Sequence, residues 1–71
     1  MKVFKDYSNF QFYRQYVDEE GQEWQVHDKG LGIFHFYKLI NEAFLMVGCV
    51  VSKKKLNLRQ MHAKFINDGN S

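Results

Sequence analysis

The side chains able to do chemistry in this 71-residue chain are few: His27, His35, His62, the lone Cys49 and the carboxylates of Glu19 and Glu20. A zinc site asks for histidines one helical turn apart or a CxxC pair, and neither spacing occurs, so no metal is expected. A Cys–His nucleophilic pair needs an orienting carboxylate or amide and an oxyanion site, to which nothing in the chain points. Cys49, set in Val47-Gly48-Cys49-Val50, is expected to be a small buried hydrophobe rather than a reactive thiol. Glu19 and Glu20 fall at a turn, too wet to raise a carboxyl pKa for acid–base work. Gly30-x-Gly32 lacks the third glycine of a phosphate cradle, and a turn out of a strand accounts for it. The expectation is a protein that is not an enzyme and takes no cofactor, metal or small-molecule substrate.

Binding chemistry has better candidates. Lys53-Lys54-Lys55, followed by Arg59 and Lys64, could contact phosphates through counterion release, or could simply be solvated loop charge. Tyr13, with Gln11, Gln15, Gln25 and His27, makes a polar-aromatic patch suited to stacking on unpaired bases or to anchoring a protein interface. Arg14 interrupts an otherwise apolar hairpin face. Its stem can lie along Tyr16 or Trp24 while its head reaches water, or the face is partly open to a partner.

These residues must be positioned by a small scaffold. The length gives one compact domain over residues 1–71, near the lower limit for a single apolar core. Apolar residues make up 45% of the chain, too many for a disordered one. Twelve residues are aromatic, nearly all between Phe4 and Phe44, whereas positive charge gathers behind them. Residues 1–28 carry three cations against six carboxylates, a net −3, and residues 29–71 carry seven against two, a net +5. Such a dipolar chain can steer an oriented encounter with a charged partner. A single cysteine, an N-terminus without a signal-type apolar core, and no apolar run of membrane-spanning length point to a soluble cytoplasmic protein with no membrane partner.

The segment Phe10 to Asp28 reads as a β-hairpin. Asp18-Glu19-Glu20-Gly21 suits a type I turn closed by a left-handed glycine, which pairs Tyr16 with Trp24 and Arg14 with Val26. Phe10, Phe12, Tyr16, Trp24 and Val26 then share the core face with Arg14, and Gln11, Tyr13, Gln15, Val17, Glu23, Gln25 and His27 share the wet one. His35, Lys38 and Asn41-Glu42 recur at helical spacing and predict a helix over Leu31–Ala43, with a strand as the rival because Ile33-Phe34-His35-Phe36 is locally β-prone. Leu45–Val51 predicts a buried strand, and Asn57 with Gln60 predicts a capped helix running to about Asn67. Val3-Phe4 could add an edge strand, and residues 67–71 read as a frayed tail.

The expected class is therefore α+β in the order ββαβα: an antiparallel hairpin, one or two further strands, and two helices on one face. The expected role is binding, by a small regulator or inhibitor whose partner is a protein. Chains of this size and style suit phages and mobile elements, aimed at nucleic-acid-processing machinery. Self-association into a homodimer through the hairpin edge or the first helix is the simplest form, since so small a core can hardly hide every aromatic. The alternative is direct nucleic-acid binding through Lys53, Lys54, Lys55, Arg59 and Lys64.

Overall fold

The computed structural model of the chain describes residues 3–7 and 12–69, the last two by their backbone alone. Five strands, β1 (Lys5–Asp6), β2 (Arg14–Val17), β3 (Glu23–Asp28), β4 (Ile33–Ile40) and β5 (Ala43–Val51), form one sheet in the order β1-β2-β3-β4-β5. Every neighbouring pair is antiparallel, so the sheet is a simple meander. One short helix, α1 (Leu58–Lys64), follows and widens into a π-helical stretch over Phe65–Gly69.

The β2–β3 hairpin takes the register that its turn chemistry demands. Tyr16 pairs with Trp24 and Arg14 with Val26. The Asp18 amide donates to the Gln22 carbonyl at 2.9 Å, the Gly21 amide to the Asp18 carbonyl at 3.0 Å, and Gly21 closes the loop at φ 86°. The expected contribution of Phe12 to the core is not made: its side chain is 76% exposed. The strand begins only at Arg14, so the alternation that would have turned Phe12 inward does not reach it. Phe10 and Gln11 lie outside the described residues. The edge strand expected at Val3-Phe4 forms two residues later, as β1.

The helix expected over Leu31–Ala43 is a strand instead. Ile33-Phe34-His35-Phe36-Tyr37 favours a pleated, half-buried surface, and β4 alternates accordingly. Phe34, Phe36 and Lys38 stand opposite Asp28, Val26 and Trp24, while His35 and Tyr37 stand opposite His27 and Gln25. Both ends are turns that no α-helix could contain. Gly30, Leu31 and Gly32 all have positive φ (85°, 58° and 76°), and Asn41 and Glu42 follow at 50° and 68°. Two consecutive left-handed residues make the two-residue turn whose twist matches a hairpin. The spacing of Lys38 and Glu42 reflects no helical face: the Lys38 amine lies over the Trp24 ring, 5.7 Å from its centre. The ββαβα order with two helices thus gives way to a mostly β fold with one short helix.

β5 forms where a strand was expected, but it is not buried. It is the last strand of the sheet, and only Val50 is fully covered. Leu45, Met46, Val47 and Val51 are exposed, and so is Cys49, contrary to its expected burial. An irregularity at Phe36/Tyr37 leaves Val47 as an extra residue between the paired Gly48 and Met46.

The core lies between the sheet and α1. Tyr16, Trp24, Val26, Phe36 and Val50 come from the strands; Leu58, Met61 and Phe65 come from the helical segment. Phe65 is the pivot, stacked on Phe36 at 4.6 Å and edge-on to Trp24 at 5.5 Å. The helix starts at the expected capping box: Asn57 accepts from the Gln60 amide at 2.8 Å, and Gln60 accepts from the Asn57 amide at 2.9 Å.

Trp24→Ala should cost roughly 3–5 kcal/mol, enough to unfold most of a domain this small. Tyr13→Ala, off the core face, should stay within about 0.5 kcal/mol in the same urea melts. A greater loss from Tyr13→Ala would contradict the assignment of the faces. The glycine pair gives a second comparison. A Cβ on Gly30 would meet nothing within 4 Å, whereas on Gly32 it would lie 2.3 Å from the Ser52 carbonyl oxygen. Both substitutions carry the left-handed penalty of about 1–2 kcal/mol. Gly32→Ala should lose about 1–3 kcal/mol more, because backbone must move. Equal melting midpoints for the two variants would refute that close approach.

Candidate functional site

Three regions collect the polar and aromatic side chains: a network under the β2–β3 turn, a groove beside the helix start, and the sheet face that no helix covers.

The network is centred on Asp18, the buried acid that closes the hairpin. Its carboxylate accepts from the Trp24 indole at 2.9 Å and from the Glu20 and Gln22 amides at 2.9 Å each. His62 on α1 brings Nε2 to 3.7 Å from the same carboxylate, and its Nδ1 lies 2.8 Å from the Tyr16 hydroxyl. Burial, and then the Asp18 charge, push the Tyr16 pKa far above its ordinary value. The hydroxyl therefore keeps its proton, and the tautomer with its proton on Nε2, facing the Asp18 carboxylate, is the one in which Nδ1 accepts from Tyr16. Burial alone would raise the Asp18 pKa, but the indole, the two amides and His62 together hold it below the ordinary carboxylate value. Burial depresses His62 more than Asp18, Glu20 and Glu19 raise it. The Asp–His–Tyr line has the partners of a proton relay. Its terminal hydroxyl belongs to a side chain with no exposed surface, while Asp18 and His62 border a groove shared with Phe4, Glu19 and Arg59. The line ties β2, the turn and α1 together.

The residues expected to bind a partner divide between locations. Tyr13, Arg14 and Lys55 meet around a groove of about 330 Å³ whose apolar floor includes Val26, Phe34, Leu56 and Met61. Arg14 does not lie idle there, since its guanidinium pairs with Asp6 at 3.0 Å on the surface. Lys53 and Lys54 are exposed in the β5–α1 connection, where the Lys54 backbone is held by Ser52. Arg59 is taken up internally: it pairs with Glu19 at 3.3 Å and lies over the Phe4 ring, 4.9 Å from its centre. Lys64 sits in the last turn of α1. The structure thus brings three of the seven together and leaves Arg59 and Lys64 away from them.

The open face was legible only in part. Tyr13 stacks on His27 (5.2 Å between centres, 13° between planes), and His27 meets Tyr37 at 4.5 Å. Gln25 links this ladder to its neighbours, with His27 Nε2 at 3.1 Å from its carbonyl oxygen and its amide nitrogen 3.4 Å from Gln15. The register adds Ile33, His35 and Leu39 from β4, with Phe44, Met46, Cys49 and Val51 opposite or beside them. Those β4 and β5 residues were missed because β4 was read as a helix. A strict reading of the period-2 alternation through Ile33–Ile40 would have found the β4 residues.

Among the described residues no group of three His, Cys, Asp or Glu side chains could hold a metal ion, and no helix is long and apolar enough to cross a membrane. Comparison with protein-family models, curated proteins and solved structures finds no match to this chain.

The network sets the response to pH. His62 and His27 both titrate below their ordinary value of 6.5 in the fold, so their contribution is complete above pH 6.5 and falls as pH drops below it. Asp18 titrates below 3.8, so its contribution persists to lower pH and is lost only as pH falls through its depressed folded value. Urea midpoints should accordingly be flat above about pH 7 and decline toward pH 5, with a second fall in stronger acid. His62→Gln should be less stable at neutral pH but should show a shallower decline, the remainder belonging to His27. An unchanged slope in that variant would remove His62 from the titration.

Proposed function

We propose that the chain is a small non-enzymatic protein that works by binding another protein, on the open face of its sheet. The observation that carries this reading is the pairing of one short helix with a five-stranded sheet, which among the described residues leaves one face without a covering layer. That face holds the Tyr13–His27–Tyr37 ladder beside the half-exposed aliphatics of β4 and β5. Lys5 and Glu23 are the only formally charged strand residues that the register places on it. Protein interfaces are depleted of charge and enriched in tyrosine and methionine at their centres, which is the chemistry found here. The dipolar charge distribution supports a role as a regulator or inhibitor of a nucleic-acid-processing complex, whose acidic and basic grooves would orient the encounter.

The groove at Tyr13, Arg14 and Lys55 supports a second reading, direct nucleic-acid binding, because it sets two cations beside Phe12, Tyr13 and Phe34. Tyr13 belongs to both groove and ladder, but the groove takes in only Arg14 and Lys55 of the candidate cations, and Arg14 is already paired with Asp6, so charge does not run along the stacking surface. This favours the protein partner.

Capture from an extract of the source organism, with both proteins and nucleic acids identified, followed by titration of the recovered partner, separates the readings. Tyr37→Ala should weaken a protein partner by about tenfold or more, while alanines at Lys53, Lys54 and Lys55 should leave it within about threefold. Gel shifts with single- and double-stranded DNA and RNA at low salt should show no complex. A complex whose salt dependence flattens in the triple-alanine variant would establish the second reading instead.

A further inference from the structure

We propose that β5 pairs with the β5 of a second copy of this chain, antiparallel and about a two-fold axis at Cys49, so that two five-stranded sheets join edge to edge. The inference concerns the sheet edge and is independent of what docks on the open face.

The two edges of the sheet are built differently. β1 is two residues long, and both carry charge, a usual way of blunting an edge. β5 is nine residues long and carries neither a charge nor a proline. Leu45, Met46, Val47 and Val51 on it are between 37% and 58% exposed. A strand of this kind exposes a row of unpaired amides and carbonyls beside apolar side chains, a template for another strand.

The hydrogen-bonding phase selects the register. The Ser52 amide donates inward to the Gly32 carbonyl at 2.8 Å. Ile33, the partner of Val51, spends its own groups away from β5: its amide donates to the Gly30 carbonyl at 3.0 Å and its carbonyl accepts from the Lys29 amide at 2.8 Å. Backbone groups alternate in direction along an antiparallel strand. Those of Val51 and Cys49 consequently point to the free edge. An axis at Cys49 sets Cys49 against the Cys49 of the second copy, so the outward amide of each meets the outward carbonyl of the other. Val47 is the extra residue at the irregularity, where the strand bends, and it bounds the paired segment.

Charge identifies the occupant as a second copy. The strand starts just after Glu42 and ends just before Lys53-Lys54-Lys55. Among the described residues none of these four is in an ion pair within one chain. Antiparallel pairing brings the Glu42 end of one copy beside the lysine end of the other, twice by symmetry, with an uncharged seam between. A self-pairing edge with like charges at its centre would repel itself; this one has none.

The test uses the full chain. Sedimentation equilibrium should give a dimer of twice the 8.5 kDa chain mass, with a dissociation constant on the order of micromolar for so short a seam. C49D and C49K should each sediment as folded monomers, with circular dichroism checking the fold, because the axis brings like charges together. Their equimolar mixture should regain the dimer. A short bismaleimide should couple the two Cys49 thiols of the unmodified chain above the dissociation constant and not below it, which tests the axis without a substitution. A chain that stays at 8.5 kDa at a hundred times that concentration overturns the proposal. So does a dimer that survives both charge variants, or one that the cross-linker fails to couple.

Discussion

A single buried carboxylate ties the parts of this domain together. Removing an ionised group from water is costly unless its oxygens are satisfied, and Asp18 is satisfied from three directions. Two donors are amides of its own turn, a third is the indole of the opposite strand, and an imidazole from the helix stands beyond them. Turn geometry, the position of Trp24 and the docking of α1 therefore converge on one side chain. Among the described residues no buried side-chain polar atom lacks a hydrogen-bond partner. The network is a closed one, of the kind that specifies an arrangement as well as stabilising it.

The second constraint is one of coverage. Tyr16, Trp24, Val26, Phe36 and Val50 are roofed by Leu58, Met61 and Phe65, and that exhausts the helix. Among the described residues the other face is left with rings and aliphatic side chains half in water, and the last strand has no outer neighbour. In larger domains such surfaces are closed by further layers. Here both remain available, and they differ in character: the face offers side chains, whereas the edge offers backbone groups. The proposed partner and the proposed second copy therefore compete for neither surface.

What could be read from the chain divides along the range of the interactions concerned. The β2–β3 hairpin and the helix start were legible because both are set by residues within a few positions of each other, Asp18 with Gly21 and Asn57 with Gln60. β4 was misread for a local reason as well. A two-residue hairpin turn usually advertises itself with Asn-Gly or Asp-Gly, but here Glu42 occupies the second left-handed position, and its spacing from Lys38 imitates a helical face. The exposure of β5 and Cys49 was not legible, because an apolar run looks the same whether a neighbouring strand exists or not. Nor was the contact between His62 and Tyr16, 46 positions apart. Of the candidate binding residues, Tyr13, Arg14 and Lys55 do converge. Arg59 is diverted to Glu19 and Phe4, which no spacing rule would have linked to it.

The meander order has a kinetic meaning. Each strand pairs with the one just made, so the sheet can grow by successive hairpins, each closing a loop of a few residues at small entropic cost. The helix alone must return across the sheet to reach partners made near the start of the chain. Until it does, Tyr16, Trp24 and Phe36 have no roof, and Asp18 lacks its imidazole. Assembly of the sheet should thus be local and quick for a β-rich domain, with helix docking as the step that confers cooperativity. A chain leaving the ribosome would hold an unroofed apolar sheet until Leu58, Met61 and Phe65 emerged, so the interval of greatest exposure to misassociation lies between the appearance of β5 and that of α1.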